Sequence, residues 1–222
     1  MKKSVAIFDL DGTLVNTLKD ITNCMNYALS DCGFKTFNEQ EYEYFIGTGV
    51  NNLIKHSLPF EYKENKEVIN KVRKLYSIYY EKHYLENSCP YKGVVELLSE
   101  LKKRKFVLGI VSNKQHSFTI LMAEKIFGKD YFDMIIGQQD DLPKKPNPYG
   151  ILDIAKKMNV NLQDIIYIGD SGIDMETAKN ACVTGVGVLW GFREKDELLQ
   201  NGADFIISKP SELLDVLLIE RN

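Results

Sequence analysis

Apolar residues along this chain recur in two rhythms. The first is a short continuous run closed by turn residues: Val5–Phe8, then 106–111, 132–136, 164–168, 185–189 and 204–207. Runs of that length and residue type suit strands buried on both faces of a parallel sheet. The second rhythm is helical. Leu18, Ile21, Met25, Ala28, Leu29 and Cys32 share one helix face, with Gly33 as the stop. Helical patterns follow at 39–45, 50–56, 68–84, 94–101, 118–127, 147–158, 175–181 and 211–219.

The order of the two rhythms sets the organisation. No convincing buried strand lies between Leu14 and Tyr91, and nine of the twelve tyrosines fall between Tyr27 and Tyr91. Residues 15–89 are therefore expected to form a helical insert with its own small core, and Tyr76, Tyr79, Tyr80 and Tyr84 its packing face. From Pro90 onward strands alternate with helices, which implies right-handed βαβ units and a parallel sheet. The expected class is α/β, with residues 1–14 and 90–222 forming the sheet domain.

Composition narrows the partners. The 28 Lys+Arg against 31 Asp+Glu give a net charge of -3, with no excess to attract nucleic acid or an anionic membrane. A small-molecule partner is the default expectation. Cys24, Cys32, Cys89 and Cys182 show neither CxxC nor metal-ligand spacing, which suits reduced thiols in a cytoplasm. Met1-Lys2-Lys3 resembles the basic start of a leader, but the apolar run after it meets Asp9 too early. No stretch approaches the ~18 apolar residues of a membrane span.

Candidate chemistry collects at the strand ends. Asp9 and Asp11, two residues apart where the first strand ends, can face one site at its carboxyl edge. Two acids that close call for a divalent cation with oxygen ligands or a shared proton. Further strand ends carry Ser112-Asn113, Lys144-Lys145-Pro146, and Gly169-Asp170-Ser171-Gly172 with Asp174. Each has a plain structural explanation: Ser112 as a helix cap, Lys145 as a solvated loop charge, Asp174 as a first-turn acid facing the helix dipole. Together they converge, because all strands of a parallel sheet present their carboxyl ends on one edge, where ligands bind. Four acids against Lys145 lack counter-charge. Mg2+ would supply it, and Ser112, Lys145 and loop amides would meet a substrate phosphate.

The set resembles the haloacid dehalogenase superfamily, through Asp9-Leu10-Asp11-Gly12-Thr13, Ser112, Lys145-Pro146-Asn147-Pro148 and Gly169-Asp170-Ser171-Gly172-Ile173-Asp174. The resemblance implies a Rossmann-like doubly wound sheet with a small α-helical cap inserted at 15–89, closing over the site. It implies a phosphoaspartyl mechanism in which Asp9 attacks phosphorus and Asp11 protonates the leaving oxygen, then activates water. Asp9, Asp170 and the Asp11 carbonyl would hold Mg2+, with Asp174 orienting the metal shell. Ser112, Asn113 and Lys145 would bind the phosphoryl group. Phe45-Ile46-Gly47-Thr48-Gly49 and Val186-Gly187-Val188-Leu189-Trp190-Gly191 are similar to segments of phosphoglycolate phosphatases, whereas Asn16 and Ala181-Cys182-Val183-Thr184-Gly185 depart from the usual pattern. Gly47, Thr48 and Gly49 become candidates for substrate choice, the glycines equally readable as a helix-to-helix turn. The implied activity is hydrolysis of a small phosphorylated metabolite, 2-phosphoglycolate first, by a monomer or homodimer. A sugar phosphomutase, pyrophosphatase or nucleotidase shares the scaffold. A non-enzymatic phosphoacceptor fits less well, because it needs no acid beside Asp9.

Overall fold

The computed structural model describes residues 4–219. The Met1-Lys2-Lys3 start weighed above as a leader lies outside them. The chain opens with strand β1 (Val5–Phe8) and the two-residue β2 (Val15–Asn16), then runs through helices α1 (Leu18–Asp31), α2 (Glu39–Phe45), α3 (Val50–Ser57) and α4 (Lys66–His83). After the two-residue β3 (Cys89–Pro90) come α5 (Val94–Lys103), β4 (Val107–Gln115), α6 (His116–Phe127), β5 (Met134–Gln138) and α7 (Tyr149–Met158). The last part holds β6 (Ile165–Gly169), α8 (Gly172–Ala181), β7 (Thr184–Val188), α9 (Lys195–Gln200), β8 (Phe205–Ile207) and α10 (Leu213–Ile219). Two compact units result: residues up to Val15 with those from Pro90 onward, and Asn16–Cys89.

Among the described residues the first unit carries a six-stranded sheet in the order β5-β4-β1-β6-β7-β8, parallel at every pairing. From β1 the chain builds outward through β4 and β5 on one side and β6, β7 and β8 on the other. The reversal leaves a crevice at the carboxyl ends of β1, β4 and β6, the position where open α/β sheets bind ligands. One face buries Val5, Ile7, Val111, Ile165 and Tyr167 against Ile151 and Ile154 of α7 and Ala178 and Ala181 of α8. The other face is buried as well, through Ala6, Phe8, Leu108, Ile110, Ile166 and Ile168. That two-sided burial explains why these strands read as unbroken apolar runs.

The helical unit packs around its own aromatic core. Tyr42 and Tyr80 are almost fully buried, Tyr76 stacks on Tyr80 at 5.2 Å, and Tyr79 lies face to face with Tyr27 at 4.0 Å. Asn38 and Glu41 form a capping box at α2, and the Asn65 side chain accepts from Glu67 N and Val68 N at α4. Asp20, on α1, is buried and accepts five hydrogen bonds from the backbone and side chains of Asn87 and Ser88. No helix among the described residues is long and apolar enough to cross a membrane.

Some boundaries differ from expectation, and α9 was not expected, for physical reasons. β4 does not stop at Val111 but continues to Gln115, with a register shift against β5 between those residues. A shift of that kind re-aims side chains near a site. α8 begins at Gly172, three residues early, because Ser171 caps it. α9, six residues with four charged or amide side chains and one buried Leu198, is too short to show a period.

Candidate active site

β1 delivers Asp9 directly from its buried end. The Asp9 amide donates to the Ile168 carbonyl at 2.9 Å, keeping it in the sheet, while its Oδ1 accepts from Leu10 N at 2.7 Å. Its Oδ2 lies 3.0 Å from Lys145 Nζ. Lys145 is held in place by Asn113: the Asn113 Oδ1 accepts from Lys145 N at 2.8 Å and its Nδ2 donates to Lys145 O at 3.2 Å. The Asn113 side chain, expected near phosphate, thus orients the lysine loop. Lys145 is 4% exposed, so it is no solvated loop charge.

The ammonium of Lys145 engages three acceptors at once: Asp9 Oδ2, Asp174 Oδ1 at 2.7 Å and the Tyr167 phenol oxygen at 3.1 Å. Tyr167 in turn directs its single proton towards Asp174 Oδ1 and the Val111 carbonyl, each 3.0 Å away. Asp174 also closes a capping box, its Oδ2 accepting from Ser171 N at 3.1 Å and from Ser171 Oγ at 2.6 Å. The first-turn reading of Asp174 and its place in the charged cluster are therefore both realised. Ser112, by contrast, does not cap α6, whose N-cap position is held by Gln115. It is buried, and its hydroxyl hydrogen-bonds Asp9.

Asp170, just past β6, accepts from Thr13 Oγ1 at 2.9 Å and from Phe192 N at 2.9 Å. Gly12 and Gly191 pass so close that a Cβ on either would overlap the Asp170 carboxyl, and Gly12 has φ +83. Only glycine fits both constraints at Gly12. Trp190 Nε1 ties the second loop down by donating to Thr13 O at 2.9 Å.

Among the described residues, Asp9, Asp170 and Asp174 bring carboxylate oxygens within 4.8 Å of one another, all buried. Burial raises Asp9 from its ordinary 3.8 to about 6, against the pull of Lys145 and with the push of Asp174 and Asp11. Burial, then Asp174 and Asp9, raise Asp170 to about 8. For Lys145 burial works downward, but the Asp174 and Asp9 carboxylates outweigh it and the ammonium is held charged. Uncompensated like charge on buried oxygens is what a hard divalent cation neutralises, so the donor set fits Mg2+. Asp11 stands outside that trio. Its carboxylate pairs with Lys114 Nζ at 3.0 and 3.2 Å, so any metal contact falls to its backbone carbonyl.

Sequence reasoning assigned no role to Lys114, Tyr167, Thr13 or Phe192. Thr13 stands inside the Asp9–Thr13 motif, and Tyr167 carried a signal of its own, a phenol inside an apolar strand on the face of Val5 and Ile7. Gly47, Thr48 and Gly49 lie between α2 and α3 in the helical unit; both glycines have positive φ, +109 and +90, as a tight turn requires.

The chain is similar to known proteins over nearly its whole length. The family model for haloacid dehalogenase-like hydrolases matches residues 6–188. A phosphoglycolate phosphatase of Aquifex aeolicus is 30% identical over 217 residues, covering 96% of each chain. A pyrophosphatase PpaX of Listeria welshimeri is 31% identical over 218 residues, covering 97% of each. A crystal structure from Lactobacillus delbrueckii subsp. bulgaricus superposes with TM-score 0.90 at 28% identity, covering 98% of this chain and 99% of that one. Family model, full-length relatives and superposition agree, and the chain belongs to the haloacid dehalogenase-like hydrolases.

Proposed function

We propose that this chain is a Mg2+-dependent phosphatase of small phosphomonoesters, with 2-phosphoglycolate its first candidate substrate. One observation carries the reading: Lys145 buried between Asp9 and Asp174, with Asp170 alongside and pushed up to about 8. Asp9 is the nucleophile. Its carboxylate forms the bond to phosphorus while the ester oxygen leaves with a proton from Asp11, and Asp11 then takes a proton from the water that cleaves the acyl phosphate. Ser112, the Asn113 amide and Lys145 hold the phosphoryl oxygens. Asp9, Asp170 and the Asp11 carbonyl would ligate Mg2+, and Asp174 keeps Lys145 charged and oriented. The ion supplies counter-charge for Asp9 and for the charge developing on the phosphoryl oxygens. In this reading Gly47, Thr48 and Gly49 of the helical unit, acting as a cap, choose the non-phosphate part of the substrate. Four free thiols suit a cytoplasmic setting.

A second reading, pyrophosphate hydrolysis by the same residues, is favoured by the Listeria relative. A panel of phosphometabolites assayed with and without EDTA tests both. Turnover confined to Mg2+ and highest for 2-phosphoglycolate supports the first, and highest for pyrophosphate the second. Release of one equivalent without turnover would remove both and leave a phosphoacceptor.

A further inference from the structure

Lys114 has no part in the chemistry above, yet its side chain is 7% exposed and its ammonium sits against Asp11, itself 11% exposed. A buried ion pair is a poor stabiliser, since desolvating two charges offsets most of their attraction. The chain nevertheless builds this one with care. Lys114 follows Asn113 inside the register shift of β4, its amide donates to Ser112 Oγ at 3.3 Å, and its carbonyl accepts from Thr119 Oγ1 at 3.2 Å.

Position points to a purpose. Lys145 Nζ lies against Asp9, Asp174 and Tyr167, so it belongs to the nucleophile side of the site. Lys114 belongs to the other side, because Asp11 is the group assigned to the leaving oxygen and Lys114 Nζ is 3.0 Å from it. An ammonium there reaches groups bonded close to the leaving oxygen. In 2-phosphoglycolate such a group is a carboxylate, and in pyrophosphate it is the second phosphoryl. Without a cation either anion would approach the Asp11 carboxylate unshielded.

We infer that Lys114 is a specificity-determining residue that recognises an anionic leaving group, so the substrates of this chain are phosphoesters or phosphoanhydrides whose departing part carries a negative charge beside the scissile oxygen. The inference rests on the phosphatase reading and narrows it to a substrate class. A neutral leaving group has nothing to offer Lys114, which then stays with Asp11.

The test compares kcat/KM for 2-phosphoglycolate with that for 2-hydroxyethyl phosphate, its neutral analogue, in the wild type, Lys114→Gln and Lys114→Arg, each with Mg2+. Wild type should prefer 2-phosphoglycolate. Lys114→Gln should lose about 10- to 100-fold on that substrate, the range expected for a charge-assisted hydrogen bond, and under about threefold on the analogue. Lys114→Arg should keep the preference, and pyrophosphate should follow 2-phosphoglycolate. Lys114→Met repeats the comparison if the amide variant does not fold. Equal losses on both phosphoesters would mean that Lys114 only positions Asp11, and no loss on either would remove it from the site; both overturn the inference while the phosphatase reading stands. A wild type that hydrolyses no phosphoester or pyrophosphate overturns the phosphatase reading itself.

Discussion

Asp20 in the helical unit and Asp170 in the sheet unit are both carboxylates cut off from water, 1% and 2% exposed, but they are buried in opposite ways. Asp20 is surrounded by donors, with three backbone or side-chain bonds from Asn87 and two from Ser88. Asp170 has two, from Thr13 and Phe192, and faces Asp174 and Asp9. A carboxylate satisfied by its own chain is a fastening, whereas one left short of positive charge among others of its kind is waiting for a ligand. Burial of charge is thus no mark of function. The unpaid electrostatic deficit is.

The largest effect should come from the deficient cluster. Asp9→Asn removes the proposed nucleophile, and kcat should fall by at least about 10³-fold while the far-ultraviolet circular dichroism is unchanged. Residual wild-type turnover, with deamidation excluded by mass spectrometry, would break the assignment. The satisfied carboxylate should respond through stability instead. Asp20→Ala strands buried donors and should cost about 3 kcal/mol, lowering the thermal midpoint by about 6–12 °C. A normal midpoint with lost activity would reverse the roles drawn for the two regions.

A smaller effect sharpens the comparison by pH. Asp9 and Asp170 hold protons more tightly folded than unfolded, at about 6 and about 8 against an ordinary 3.8. The stability those protonated carboxyls contribute is complete below about pH 4 and is lost as pH rises through 6 and then 8. In EDTA the thermal midpoint should therefore fall between about pH 5 and about pH 8.5, and Mg2+ should raise it more at the alkaline end. An Mg2+ increment that does not grow with pH would detach the two raised carboxyls from metal binding. The smallest effect is a ratio. Asp11→Asn should slow alkyl phosphates about tenfold more than p-nitrophenyl phosphate, whose leaving group needs little protonation. Equal slowing would take the acid role from Asp11.

What could be read from the residues follows from the same physics. β1, β6 and β7 are four or five residues each, made of apolar residues and glycine apart from Thr184 and buried on both faces along nearly their whole length, so pattern and structure coincide closely. The strand-end acids were legible because a parallel sheet brings its carboxyl ends to one edge. The continuation of β4 was not, because Ser112, Asn113, Lys114 and Gln115 interrupt the apolar run while remaining in the strand. Nor was the pairing of Lys114 with Asp11, 103 residues apart, since an ion pair leaves no periodic trace. Asp174 was legible as a site residue, but its partners were not. Its capping box with Ser171 is a complete local explanation, and only the fold brings Lys145 and Tyr167 to its other oxygen.

All of this turns on whether Asp9 becomes phosphorylated. Rapid mixing of the protein with 2-phosphoglycolate and Mg2+, acid quench, borohydride reduction and peptide mass spectrometry would read that bond. An acyl phosphate at residue 9 is reduced to homoserine, whereas a free carboxylate survives untouched. Homoserine at residue 9 during turnover, absent in Asp9→Asn and absent in EDTA, is the predicted result. Steady turnover with residue 9 recovered only as aspartate, after quenching times shorter than one catalytic cycle, would contradict it.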